Sequence, residues 1–184
     1  MEDKYLESTN IIKNLIREGK IKEAIPESRD FFLNKAIQSI NLADRLLRLE
    51  DEEHIETKMW IINISYYSMF FAATALLAKY KKKIDSEIGI HILTYHALVH
   101  YFFNEDNKIE KQFIEEYKDA VDEAEELLRI SERKSIEFIT DFKNELEKRK
   151  IFTYNLGSIA ERNKAETSLK RAKNFVKIVE RMIK

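Results

Sequence analysis

The chain contains no cysteine. This excludes disulfides, zinc fingers, iron–sulfur clusters and cysteine nucleophiles. Glycine and proline are also scarce, with three glycines and one proline in 184 residues. A sheet protein needs many tight turns and a phosphate-binding loop needs several glycines, so both are excluded. We therefore expect an all-α protein of long helices joined by short connections.

The N-terminus, MEDKYLESTN, also lacks the basic start and apolar run of a secretion signal, so we expect a cytoplasmic protein. Residues 60–78 are apolar enough to raise the question of a membrane span. However, polar side chains are spread around this segment, and both of its ends continue into charged sequence. This pattern favours the central helix of a bundle over a membrane helix, and we expect no membrane association.

Hydrophobic residues make up 44% of the chain and charged residues 35%, which is typical of a folded protein. Apolar side chains recur at spacings of four, four, three and four in Phe32, Ala36, Ile40, Ala43 and Leu47. This spacing predicts a helix with one buried stripe. We expect one domain over residues 1–184, an antiparallel up-and-down bundle of about five to six helices. Residues 1–27 form an N-terminal extension to a bundle core over 28–184.

Patterns and breaks along the chain place the helices. The expected bounds are residues 5–18, a helix from Pro26 onward, 53–80, 90–103, a long acidic helix inserted around 105–130, its continuation to about 149, and a last helix that begins near Asn163. Asn163 and Glu166 have the spacing of a capping box.

Residues 105–126 hold ten acidic residues against three lysines, whereas residues 143–184 hold twelve basic against five acidic. One part of the chain is therefore acidic and another basic, although the net charge is only −1.

The last helix has an unusually wide apolar face. Its central members are Ala165, Leu169, Ala172, Val176, Val179 and Ile183, and its flank is Phe175, Ile178 and Met182. Such a face covers nearly half the circumference and needs two neighbouring helices, one of which can come from a second copy of the chain. We therefore expect a homodimer.

A basic ridge lies on the same helix and consists of Lys170, Lys173, Lys177 and Arg181. Lysines at this spacing can follow a phosphate backbone, so the ridge predicts nucleic-acid binding. The alternative is a solvated face that pairs with the acidic helix.

His96 and His100 lie one helical turn apart, so both imidazoles can reach one metal ion. The glutamate of a metalloprotease motif is missing, since Ala97 follows His96. A lone pair of histidines is more typical of a polar helix face. We expect neither a metal nor a cofactor.

A tyrosine pair gives the sequence a family resemblance. Residues 62–83, INISYYSMFFAATALLAKYKKK, resemble the second helix of HEPN domains, in which Tyr66 and Tyr67 are followed by small and aromatic residues. Residues 35–46 resemble the family's first helix, and residues 94–102, TYHALVHYF, resemble its third. RKIFTY, residues 149–154, followed by a last helix, resembles the closing unit. The resemblance covers about residues 31–184.

The resemblance implies a toxin-like protein that is paired with a small nucleotidyltransferase and acts on RNA. Ribonuclease members use Arg-x4-6-His in a dimer cleft without a metal, the arginine stabilising phosphate charge and the histidine moving a proton. Here Arg149 matches the arginine, Tyr154 occupies the histidine position, and His96 is the remaining candidate. A phenol with a pKa of about 10 is a poor general base.

Two alternatives therefore stay open. The first is a non-catalytic adaptor that binds a nucleotidyltransferase or a nucleotide, in which Tyr154 is the residue modified by AMP. The second concerns Arg149 alone, which can serve as a structural ion-pair partner of the acidic helix.

Overall fold

Two long helices, α2 (Glu27–Glu53) and α3 (Lys58–Lys79), form an antiparallel pair in the computed structural model of the chain. The structure describes residues 2–53, 56–86, 88–103, 113–126 and 162–183. Ser68 donates a hydrogen bond to the carbonyl of Ala36 at 3.0 Å, and Thr57 donates one to the carbonyl of Leu46 at 3.0 Å. The later residue, Ser68, therefore pairs with the earlier position of α2, and Thr57 pairs with the later one, so the two helices are antiparallel.

Helix α1 (Glu2–Arg17) precedes this pair and is followed by a turn at Gly19, whose φ of 67° is left-handed and favours glycine. A short strand, β1 (Ile21–Lys22), follows it and pairs antiparallel with β2 (Lys83–Ile84). This ladder connects the end of α1 to the segment after α3. It was not predicted, because two residues are too few to show an alternating pattern.

Helix α4 (Ile90–Leu98) begins after Gly89 and continues as a π-helical turn over Val99–Phe103. Residues 113–126 form helix α5, and α6 (Arg162–Ile183) is the last helix. Helix α6 runs in the same direction as α3. Near their starts, Ile61 and Leu169 belong to one buried cluster, and near their ends the Lys79 ammonium donates to the carbonyl of Ile183.

Helix α3 is the central helix of the bundle, since it packs against α2, α4 and α6. The side chains of Ser65, Met69, Ala72 and Leu76 are buried along it. Its small residues let neighbouring helices approach closely. Among the described helices, α3 alone has the length and apolar composition that would allow it to cross a membrane, and most of that apolar stretch is buried within the bundle.

The prediction of a helical bundle with about six helices is confirmed. The predicted start of α3 near Glu53 is wrong, because Glu53 ends α2 and α3 starts at Lys58. The capping box at Asn163 is also wrong: residue 162 is already helical, and Glu166 accepts a hydrogen bond from the Arg162 guanidinium at 2.8 Å. The break at 104–107 and the helix continuation to 149 lie outside the described residues.

Candidate functional site

The basic ridge of α6 faces away from the bundle. All four members, Lys170, Lys173, Lys177 and Arg181, are exposed. The opposite side of the helix carries the predicted apolar face, in which Leu169, Ala172 and Val176 are buried. The apolar face therefore holds α6 in place, and the ridge is left accessible.

One member of the ridge is already paired within the chain. The Lys173 ammonium donates to the Asp44 carboxylate of α2 at 2.6 Å. Lys170, Lys177 and Arg181 make no ion pair with any part of the chain that the structure describes. Three cations of the ridge are thus available to an anionic partner, whereas Lys173 must first leave Asp44.

The wide apolar face of α6 is covered inside a single chain. Helix α3 covers one side of it, and α5 covers the other, where the Tyr117 and Phe175 rings lie 5.7 Å apart. Glu123 of α5 also accepts hydrogen bonds from Ser168 at 2.9 Å and Arg171 at 3.2 Å. The described part of the acidic helix, α5, therefore pairs with α6 through Arg171, and within it no carboxylate pairs with the ridge. The width of the face no longer argues for a second subunit, and the homodimer stays a prediction.

His96 and His100 contact α1. Ser8 Oγ lies 2.9 Å from His96 Nδ1, and Thr9 Oγ1 lies 3.2 Å from His100 Nδ1, so each pair shares a hydrogen bond. Each imidazole has one nitrogen in a contact that holds α1 against α4. Within the described ranges no three metal-binding side chains lie together.

The environment of these two histidines favours the neutral imidazole. Burial lowers the pKa of His96 and outweighs the nearby Glu7 carboxylate, which raises it, while Lys118 lowers it further. Burial also lowers the pKa of His100, and the Lys13 ammonium adds to that effect. A neutral His96 has the protonation state of a general base, but its Nδ1 is engaged with Ser8.

A third histidine, His91, was not singled out from the sequence, yet it lies against the tyrosine pair. Its ring centroid is 4.4 Å from that of Phe70, 5.2 Å from Tyr66 and 5.7 Å from Tyr67. Its buried Nδ1 has no hydrogen-bond partner within the described ranges. Burial lowers the pKa of His91, and burial with the neighbouring Tyr67 and Glu125 raises the pKa of Tyr66 well above its ordinary value. The His91 imidazole and the Tyr66 phenol are therefore uncharged near neutral pH.

No periodicity signals this cluster, because His91 comes from the first turn of α4 and the tyrosines from the middle of α3. The predicted site residues Arg149 and Tyr154 lie outside the described residues. Of the predicted site residues, the described part of the chain contains His96 and the four residues of the ridge.

No protein-family model, no curated protein and no solved structure matches the chain.

Proposed function

We propose that this chain is a HEPN-like helical protein that binds RNA through the basic ridge of α6 and acts on it as a toxin-like, metal-independent ribonuclease. The observation that carries the proposal is the outward position of Lys170, Lys177 and Arg181, which form no ion pair with the described residues, on a helix fixed through its opposite face. Lysine ammonium groups contact phosphates as point charges and read little sequence. The ridge thus suits binding to a nucleic-acid backbone.

The helical fold agrees with the all-α architecture that the resemblance implies. The antiparallel α2–α3 pair carries Tyr66 and Tyr67 on its second helix, a shorter helix follows, and α6 closes the bundle.

The RNA-binding part is tested with two matched double variants. The first is Lys177→Glu with Arg181→Glu on the ridge. The control is Lys13→Glu with Arg17→Glu, an exposed pair on α1 that has the same residue types, the same spacing and the same change of charge. Affinity for a mixed-sequence single-stranded RNA is measured by fluorescence anisotropy at several salt concentrations.

We expect the ridge variant to lose most of its affinity. Two lost phosphate contacts should reduce the slope of log affinity against log salt by about 1.4, at roughly 0.7 for each contact. The control should retain most of its affinity. Equal losses in both variants would show a general effect of net charge, and no loss in the ridge variant would show that the ridge is a solvated face.

The catalytic part rests on the resemblance, which gives Arg149 the role of stabilising phosphate charge and leaves proton transfer to Tyr154 or His96. Replacing Arg149 with Ala should stop cleavage and leave most RNA binding, and EDTA should not slow the wild type. Cleavage that persists in the Arg149→Ala variant would contradict this assignment. The resemblance also implies a two-fold dimer, and sedimentation velocity at micromolar concentrations checks it.

A second function, a non-catalytic adaptor for a nucleotidyltransferase, is favoured by one observation. His96 is half-buried and bonded to Ser8, which suits a structural role better than proton transfer. In that case the chain binds a nucleotidyltransferase or a nucleotide and does not cleave RNA, and the Tyr154 hydroxyl accepts AMP from ATP through the partner enzyme, with release of pyrophosphate. Intact-mass measurement after incubation with ATP and a nucleotidyltransferase should then show one added AMP, which Tyr154→Phe removes.

A further inference from the structure

A pocket of about 540 Å³ opens between the first turn of α2, the last turns of α3 and the first turn of α4. Its walls are mainly apolar and include Phe31, Phe32, Phe70, Leu77 and Ile90. Pockets of this size and lining are typical sites for small molecules. None of its lining residues belongs to α6, so the pocket is separate from the basic ridge.

The apolar wall on α3 carries one polar group that can serve a ligand. Thr74 Oγ1 donates its proton to the carbonyl of Phe70 at 2.9 Å, within the same helix. Thr74 lines the pocket, and its hydroxyl oxygen has only lone pairs left, so a bound molecule that pairs with it must supply the hydrogen.

The other threonine of the lining is engaged already. Thr94 Oγ1 donates to the carbonyl of Ile90 at 2.7 Å, and the Thr94 side chain is almost completely buried, whereas Thr74 is half-buried. Thr74 is therefore the better acceptor for a bound molecule.

The charged residues of the lining add up to no net charge, because two carboxylates, Glu23 and Glu27, are matched by two ammonium groups, Lys82 and Lys83. Three of the four have contacts within the chain. Glu23 lies 3.5 Å from the Lys81 ammonium, Lys83 lies 3.9 Å from the Asp85 carboxylate, and the Lys82 ammonium lies 5.5 Å from the centroid of the Tyr101 ring. A lining with two charges of each sign gives no preference for a net charge on the ligand.

We propose that this pocket binds a small, uncharged aromatic molecule with one N–H or O–H donor, which forms a hydrogen bond to Thr74. The phenylalanine rings favour an aromatic ligand, because rings gain from stacked and edge-to-face contacts. The balanced charges favour a neutral ligand, and the Thr74 lone pairs require a donor. This site is independent of the proposed RNA binding and goes beyond it.

Indole and 1-methylindole are the probes, because they differ at the ring nitrogen and only indole has an N–H donor. Binding to the full chain is followed by ¹H–¹⁵N NMR titration. We expect saturable shifts at Thr74, Leu77 and Ile90, with indole binding about three- to tenfold more tightly than 1-methylindole, the range that one net hydrogen bond supplies.

Thr74→Val keeps the branched shape of the side chain and removes the hydroxyl, so it should abolish the preference for indole. Phe31→Ala should weaken both probes by removing an aromatic wall. Leu42→Ala is the matched control, since Leu42 is 49% exposed on α2 against 55% for Phe31 and does not line the pocket. Circular dichroism and the melting temperature verify that each variant is folded.

Three results would overturn the proposal. They are the absence of saturable shifts with indole, equal affinity of the wild type for the two probes, and a preference for indole that survives in Thr74→Val. Loss of binding in Leu42→Ala as large as in Phe31→Ala would equally count against this location.

Discussion

Ser8 Oγ and His96 Nδ1 lie 2.9 Å apart and join α1 to α4 by a hydrogen bond between side chains 88 positions apart. One turn further, in the π-helical turn that follows α4, His100 repeats the contact with Thr9 at 3.2 Å. Next to these polar contacts, Ile12 of α1 is fully buried in the main core. The segment that the sequence suggested as an N-terminal extension is therefore packed against α4, through two imidazoles that are best accommodated uncharged.

Stability should fall as the pH drops below about 6.5, the ordinary histidine value. Because burial lowers the pKa of His91, His96 and His100 in the folded state, the unfolded chain binds more protons in this range, and acid favours unfolding. Urea unfolding at pH 7.5 and pH 5.5 measures the effect. The variant His96→Asn, His100→Asn should have a smaller loss between the two pH values, and an unchanged loss would show that other groups cause it.

The hydrogen bonds to these histidines should contribute measurably to stability. Ser8→Ala leaves a half-buried imidazole nitrogen without its partner, which should cost about 1–2 kcal/mol of unfolding free energy. Ser39→Ala is the control, because the Ser39 hydroxyl makes a solvent-exposed hydrogen bond to the Lys35 carbonyl of its own helix. That variant should change stability by less than about 0.5 kcal/mol. Equal costs for both would show that the Ser8–His96 bond adds nothing specific.

Metal ions should not change the melting temperature. His96 and His100 each have Nδ1 in a contact with α1, and within the described ranges no third metal-binding side chain joins them. Thermal unfolding in zinc and in EDTA checks this. A melting temperature several degrees lower in EDTA would reveal a bound metal, since a ligand of the native state must raise stability.

The sequence predicted those helices that are long and carry their apolar residues on one face. The stripe of α2 from Phe32 to Leu47 and the apolar face of α6 gave both helices, because a buried face imposes a period of 3.6 residues. The central position of α3 followed from its apolar character all around the helix.

Contacts between distant segments left no such signal. The pairing of Ile21 with Ile84 involves two residues on each side, and the approach of His91 to Tyr66 depends on how α4 crosses α3. The apolar pattern of α6 likewise did not show which helices pack against it. A wide apolar face shows that two neighbours are needed, and the fold decides whether they belong to the same chain.

Tyr117 should be among the most sensitive positions of the core. It is fully buried, its ring lies against Phe175, and its hydroxyl lies 3.4 Å from the carbonyl of His91. Tyr117→Ala should cost about 3–5 kcal/mol because it leaves a large cavity, whereas Tyr117→Phe should cost about 1 kcal/mol for the hydrogen bond alone. Chemical denaturation of both variants checks the difference, and similar costs would show that the hydroxyl, not the ring, dominates.

The two ion pairs of α6 should differ in strength, and double-mutant cycles can measure that difference. The side chains of Arg171 and Glu123 are only 20% and 25% exposed, and Ser168 donates to the same carboxylate oxygen. Alanine at both positions should give a coupling energy of about 1 kcal/mol.

The second pair, Lys173 with Asp44, is 45% and 28% exposed and should couple by less than about 0.5 kcal/mol. Both cycles are measured by urea unfolding at low and high salt, and the Lys173 coupling should vanish first because solvent and ions screen it. A weak Lys173–Asp44 pair would let Lys173 leave Asp44 for an RNA phosphate at little cost, so all four cations of the ridge would be usable. A coupling for Lys173 as large as that for Arg171 would instead tie Lys173 to the fold and leave Lys170, Lys177 and Arg181 as the binding ridge.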